Sequence, residues 1–218
     1  MHSVSEENYI KAIYHLQDGD ALVSTNDIAG RMNTKASSVT DMLKKLADKQ
    51  LAEYVPYKGS RLTTAGINCA MQIIRKHRLW EVFLVEKLNF SWDEVHEVAE
   101  QLEHIQSRKL IDQLDQLLDH PKYDPHGDPI PDAQGNYEQP KHTQLSQLQI
   151  NDTGVLAGVL DTSTRFLQYL DKHHIELGTQ ITVLEHEEFD GSFIIKTTQK
   201  TLPISKTVAD QLYLKLSS

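Results

Sequence analysis

The stretch "STNDIAGRMNTKASSVTDMLKKLADKQ", Ser24 to Gln50, carries two helical patterns separated by a very short turn. Ser24 or Thr25 is an N-cap residue type ahead of a short helix, "NTK" makes the turn, and "ASSVTDMLKKLADKQ" places Val39, Met42, Leu43 and Leu46 on one face. Two helices joined this tightly read as a helix-turn-helix. The following "LAEYVPYKGSRLTT" alternates apolar and polar residues around Pro56-Tyr57-Lys58-Gly59, the pattern of a β-hairpin turning at glycine. That hairpin is a wing. Upstream, from Glu6, the residues Tyr9, Ile10, Ile13, Tyr14 and Leu16 recur at helical spacing until "DGDAL" ends the segment. Residues 1–64 therefore form one winged helix-turn-helix domain.

Downstream, Thr64 is positioned to cap a long apolar-periodic helix from Ala65 to Leu88, and after "NFSWDE" the pattern predicts one further helix from about Asp93 to Leu118. Residues 120–142 hold five prolines and several turn signals, and read as an irregular linker closing a helical domain over 65–140. From 145 to 218 the period changes to two in "GVLAGVL", "QITVLEH", "SFIIKTT" and "LYLKL". Asp190-Gly191 is a tight turn there, and "TSTRFLQYLDKHH" is a short helix. Small strands that close on themselves suggest an SH3-like β-barrel. The fold class is thus mainly α with β.

Composition narrows the chemistry. The 218 residues are 39% hydrophobic, enough for a proper core, and no run approaches a membrane span or a signal peptide. A single cysteine, Cys69, excludes an internal disulfide and a thiolate cluster, and points to the reducing cytoplasm. Any metal site must use oxygen and nitrogen. The net charge of −9 speaks against nucleic acid as a whole-chain number. Its distribution does not: residues 1–75 hold nine Lys and Arg against eight Asp and Glu, so the acidity sits in the remainder.

Within that remainder lies "VHEVAEQLEHIQS", Val95 to Ser107, one substitution from the H-E-x-x-H of zinc peptidases. The second histidine is Glu100 instead, which removes the peptidase reading. At about 100° per residue, His96, Glu100, Glu103 and His104 share one helical face, with Val95, Val98, Ala99, Leu102 and Ile105 on the other. The preceding helix repeats the device, with His77 and Glu81 four apart in "RKHRLWEVFL". Six such groups on two adjacent helices would repel one another without a cation among them. Carboxylate and imidazole without thiolate suit Mn(II) or Fe(II), with Zn(II) or other divalent ions able to substitute in vitro.

"ENYIKAIYHL", "SVTDMLKKLADKQLAEY", "RKHRLWEVFL", "VHEVAEQLEHIQS" and "DPHGDPIP" occur in the order and spacing of the diphtheria toxin repressor family of metal-dependent transcriptional regulators, which the chain resembles over nearly its whole length. The resemblance implies a winged helix-turn-helix, a helical dimerisation and metal-binding domain, and a C-terminal SH3-like, FeoA-like barrel over 145–218. It implies one metal site from Glu100, Glu103 and His104 with Asn8 of the first helix, where family members often carry Asp or Met. A second site would draw on His77, Glu81 and His96, supplemented by Asp124, His126 and Asp161; manganese-responsive relatives have Cys-Pro-His-Gly where this chain has Asp124-Pro125-His126-Gly127. The Glu and Gln used by iron-type members correspond to Thr162 and Arg165, and their Cys to Glu100, so the resemblance is to the manganese-responsive branch.

What this implies functionally is a metal-activated regulator, a repressor of metal-uptake genes and not an enzyme, binding a palindromic DNA operator as a homodimer with no membrane partner. In such a domain the N-terminal residues of the second helix lie nearest the base edges, here Lys35, Ser37, Ser38 and Thr40. Lys44, Lys45, Lys58 and Arg61 are the phosphate candidates. Trp80, Phe83, Leu84 and Leu102 are apolar positions available to a dimer interface or to the monomer core. The alternatives are a winged-helix sensor of an organic ligand, a metallohydrolase with an open coordination position, or a metal-storage protein, which would have no use for residues 24–64.

Overall fold

The computed structural model describes residues 2–216. The chain divides into two compact units, each with its own core. One comprises the residues up to His77 with 101–108 and 131–136; the other comprises 78–100, 109–130 and everything from Tyr137 onward.

In the first unit, helix α1 (Val4–Leu16) opens with a capping box in which Ser3 and Glu6 satisfy each other's backbone N–H groups. Helices α2 (Thr25–Arg31, capped by Ser24) and α3 (Ala36–Asp48) follow. Strands β1 (Ala52–Val55) and β2 (Gly59–Leu62) then pair antiparallel, with Val55 opposite Gly59. Tyr9, Ile10 and Ile13 of α1, Ile28 of α2, Val39, Leu43 and Leu46 of α3, and Leu62 of the wing share one apolar core. Val23 adds a bridge to the wing by exchanging both backbone hydrogen bonds with Ser60. The predicted winged helix-turn-helix thus stands, with its apolar stripes buried as the periodicity requires.

Helix α4 (Thr64–Leu88) begins one residue earlier than the periodicity suggests, because Thr63 rather than Thr64 provides the cap: its Oγ1 accepts from Gly66 N at 3.1 Å. Gly66 is required, since a Cβ there would lie 1.9 Å from Leu51 O.

The single helix expected over Asp93–Leu118 is two, α5 (Val95–Leu102) and α6 (Arg108–Leu117). Residues 103–107 leave the helix, and Ile105 N bonds Leu102 O in a tighter turn. The Gln106 side-chain amide donates to the His104 carbonyl at 3.2 Å and to Glu7 at 2.7 Å, so an acceptor that a continuing helix would use is already taken.

In the second unit, one antiparallel sheet has the strand order β3-β8-β4-β5-β6-β7. Its strands are β3 (Thr143–Gln144), β4 (Thr153–Val159), β5 (Gln180–His186), β6 (Phe193–Lys196), β7 (Thr201–Ile204) and β8 (Leu212–Leu216). Strands β3 and β7 had no clear period-two signature, being two residues long and proline-bearing respectively. Helix α7 (Thr164–Lys172) and the short α8 (Lys206–Ala209) complete it, and Leu167, Leu170, Ile181, Phe193 and Leu212 are in its core. Among the described residues, no helix is long and apolar enough to cross a membrane.

Replacing Gly66 by Ala should lower stability by about 1–3 kcal/mol, the typical cost of forcing a methyl into packed backbone. The drop would be read as a lower thermal midpoint with unchanged helical circular dichroism at 20 °C or so.

Candidate metal centre

Two side-chain clusters follow from this fold, one in each unit. In the first unit, the turn after α5 faces α1. Glu103 is fully buried; its Oε2 accepts from Lys11 Nζ and from His77 Nδ1, each at 2.7 Å. Glu7, also buried, places Oε2 at 2.6 Å from His104 Nδ1 and Oε1 at 2.7 Å from Gln106 Nε2, with Lys76 Nζ 3.9 Å away. His104 Nε2 lies 3.8 Å from Glu103 Oε1. Asn8, on the same turn of α1, and Glu103 each keep one buried oxygen, Asn8 Oδ1 and Glu103 Oε1, with no hydrogen-bond partner.

Buried oxygens without donors are rare because each forfeits the solvation it had in water. One of them, Glu103 Oε1, lies 3.8 Å from the His104 imidazole, whose other nitrogen meets the Glu7 carboxylate, and together they form a hard donor set suited to a divalent cation. This set fits a metal.

Glu6, the neighbour of Glu7, points elsewhere. Its Oε1 holds Lys49, just past the end of α3, at 2.7 Å and Lys45 of α3 at 3.1 Å. Burial works to raise its pKa, but the Lys49 bond, the Ser3 N–H and Lys45 overcome that and bring it down to about 2.

In the second unit, Glu81 of α4 meets the linker. Glu81, Asp124 and His126 are all buried and offer ligand atoms within 4.8 Å of one another. His96 of α5 places Nδ1 3.3 Å from Glu81 Oε1, and its Nε2 is 3.7 Å from Glu100 Oε1. Asp124 Oδ1 accepts the backbone N–H groups of His126 and Asp128, which folds "DPHGD" into a tight turn.

Arg78 clamps that turn from α4, donating to Asp128 Oδ2 at 3.1 Å and to the Pro129 carbonyl, with Nε 3.5 Å from Asp124 Oδ2. Gly127 has φ +88° and sits against β4, where a Cβ would lie 2.1 Å from Ala157 O, while Val159 N donates to His126 O. His126 stacks on Trp92 and directs Nε2 at the Trp92 carbonyl, 2.8 Å away. A carbonyl can only accept, so Nε2 carries the hydrogen and Nδ1, 3.7 Å from Glu81 Oε2, is the ring nitrogen able to ligate a cation.

The structure therefore brings together Glu81, His96, Asp124 and His126 in one unit, and His77, Glu103 and His104 with α1 in the other. Glu103 and His104 reach α1 from a turn rather than from the helical face drawn for them. Asp161 accepts from Ser163 N at 2.8 Å at the start of α7 and belongs to no close ligand group among the described residues. The sequence reading missed Glu7, Lys11 and Gln106, whose long-range partners leave no local signature. Arg78 and Trp92 were missed for the same reason.

Of the residues expected to contact DNA, Lys35, Ser37, Ser38, Lys44 and Lys58 are exposed. Thr40 turns its hydroxyl back to Ala36 O, Lys45 is held by Glu6, and Arg61 is paired with Glu53 across the wing at 2.7 Å. Trp80 and Leu84 are buried within the chain, whereas Phe83 and Leu102 are half-buried.

Residues 1–60 match the family described as the iron dependent repressor N-terminal DNA binding domain, 63–132 the iron dependent repressor metal binding and dimerisation domain, and 143–216 the FeoA domain. The HTH-type transcriptional regulator MntR of Oceanobacillus iheyensis is 32% identical over 124 residues, covering 57% of this chain and 84% of that one. The iron-dependent repressor IdeR of Mycobacterium leprae is 31% identical over 125 residues, 57% of this chain and about half of its own length, 54%. A solved manganese-dependent transcriptional repressor in complex with manganese superposes with TM-score 0.87 at 33% identity, over 97% of this chain and 100% of the other.

The second cluster has a pH signature. Burial, with Glu81 and Asp128 nearby, pushes Asp124 up to about 7. Burial opposes the charge on His126, but Glu81, Asp124 and the Trp92 carbonyl hold its proton on to about 9. A metal ligand must shed its proton, so metal competes with protons below those values. The affinity of this cluster for Mn(II) should rise between about pH 7 and 9, by up to about tenfold per unit for one displaced proton. Calorimetry in buffers of different ionisation enthalpy would show proton release; an affinity that falls with rising pH would contradict the assignment.

Proposed function

Because the chain belongs to the diphtheria toxin repressor family of metal-dependent transcriptional regulators, we propose that it represses metal-uptake genes by binding their operators when Mn(II) is plentiful. Fe(II) is a second ion its donors accept, and Zn(II) or other divalent ions can replace it in vitro. Residues 1–64 read the DNA, 65–140 dimerise and hold metal, and 145–218 are the FeoA-like domain. The working form is a cytoplasmic homodimer on a palindromic operator.

One observation carries this reading: Glu7 and His104, 97 residues apart, meet at 2.6 Å, with the unsatisfied buried oxygen Glu103 Oε1 3.8 Å from the same imidazole. That junction joins the first helix of the DNA-binding domain to the turn after α5. Asn8, Glu7, Glu103 and His104 would hold the ion there. When bound, it supplies the positive charge that this group of carboxylate, amide and imidazole donors needs.

The connection to DNA runs through α1. Glu7 bonds the 103–106 turn, while Glu6, one residue earlier, is tied to Lys45 of α3 and to Lys49 just past its end. Fixing the first turn of α1 against residues 103–106 fixes the platform on which α3 is carried. A coupling of about 1–3 kcal/mol between metal and DNA is typical for linkage of this kind. Lys35, Ser37 and Ser38, exposed at the start of α3, would meet the major groove, with Lys44 and Lys58 towards the phosphates. The organic-sensor, hydrolase and storage readings account for neither the paired donor sets nor the winged domain together.

Glu103→Ala and His104→Ala should each abolish Mn(II)-dependent retardation of a promoter fragment from a metal-transporter gene while leaving the circular dichroism spectrum intact. Equal DNA affinity of the wild type in Mn(II) and in chelator would overturn the proposal.

A further inference from the structure

Lys11 puts an ammonium group into the first cluster. Its Nζ is 2.7 Å from Glu103 Oε2, and the two side chains are 13% and 0% exposed. This differs in kind from the surface pairs of the protein, such as Lys206 with Asp210, where Lys206 is 61% exposed. In a buried pair the partners are poorly screened, and deleting one leaves the other as an uncompensated charge.

Lys11 lies one helical turn from Glu7 and Asn8 and projects from α1 at the Glu103 carboxylate. Glu103 Oε2 therefore already has two donors, Lys11 and His77, while Oε1 has none.

Resting on the metal-dependent reading above, we propose that Lys11 is a built-in counter-cation that competes with the divalent ion for Glu103 and so sets the metal concentration at which the protein responds. Two effects act in the same direction. If the ammonium leaves Glu103 when metal binds, the buried pair is lost; if it stays, a fixed positive charge stands beside the dication. Either way Lys11 weakens metal binding and stabilises the metal-free protein. A carboxylate this deeply buried needs a positive partner when metal is scarce, and Lys11 provides one on the helix that the metal is to clamp.

The test measures Mn(II) affinity directly by calorimetry in a His126→Ala chain, so that only the first cluster titrates. Lys11→Met should bind Mn(II) at least tenfold more tightly than the Lys11 parent, and Lys11→Gln, a polar variant more certain to fold, should tighten by a similar factor. Lys11→Arg should stay near the parent affinity, because it keeps the charge. In chelator the Met and Gln chains should melt at lower temperature than the parent, and Mn(II) should raise their midpoints by more.

Unchanged or weaker Mn(II) binding by folded Lys11→Met and Lys11→Gln chains would overturn the proposal, and so would equal tightening in Lys11→Arg. If neither the parent nor any variant binds Mn(II), the metal-dependent reading itself fails. A parent that binds poorly beside variants that bind well supports both.

Discussion

A carboxylate with no exposed surface is costly to keep charged, and Glu103 is such a group. Its surroundings are arranged around that cost. Lys11 comes from α1 and His77 from α4 to the same oxygen, so segments 92 and 26 residues distant in sequence are held to one atom. The polypeptide leaves the helix after Leu102, which puts Glu103 and His104 in a turn against α1 rather than along a solvated helical face. Removing the buried carboxylate would take from Lys11 and His77 the oxygen that both address.

The first turn of α1 shows how much function three consecutive residues can carry. Successive positions on a helix are about 100° apart, so neighbours address different partners. Glu6 holds Lys45 of α3 and Lys49 just past its end, Glu7 holds His104 and Gln106, and Asn8 keeps a buried oxygen open. A constraint placed on Glu7 and Asn8 is conveyed to Glu6 through rigid helical backbone. The proposed coupling of metal to DNA thus needs no remote rearrangement, only a first turn that is held or not held.

The second cluster is organised by a loop rather than a helix. Asp124 folds the turn with one carboxylate oxygen and faces Arg78 with the other. Gly127 allows the turn to lie against β4 where any side chain would collide. Trp92 fixes both the plane and the tautomer of His126. Arg78 also offsets part of the negative charge gathered by Glu81, Asp124 and Asp128; burial and then the remaining charge raise the pKa of Asp124, and Glu81 and Asp124 raise that of His126 against its burial.

Local order was legible in the sequence because it depends on neighbours. The apolar periodicity of α1 and α3, the Ser24 cap, the glycine of the wing turn and the proline-rich linker all appear where the pattern puts them. The residue types of the two donor sets were legible too, since His and Glu at helical spacing are unusual on adjacent segments. What the pattern could not supply was partnership across distance. A periodic run from Asp93 to Leu118 reads as one helix, because nothing within it says that Gln106 will donate to the His104 carbonyl and to Glu7. Asn8 could be named by resemblance, yet Glu7 beside it and Lys11 one turn on look like ordinary solvated helix residues until burial is known. The sequence by itself determined the elements, the chemistry of the ligands and the family. Which oxygen is satisfied, which is left open and which cation stands in its place were decided only when the tertiary structure removed those groups from water.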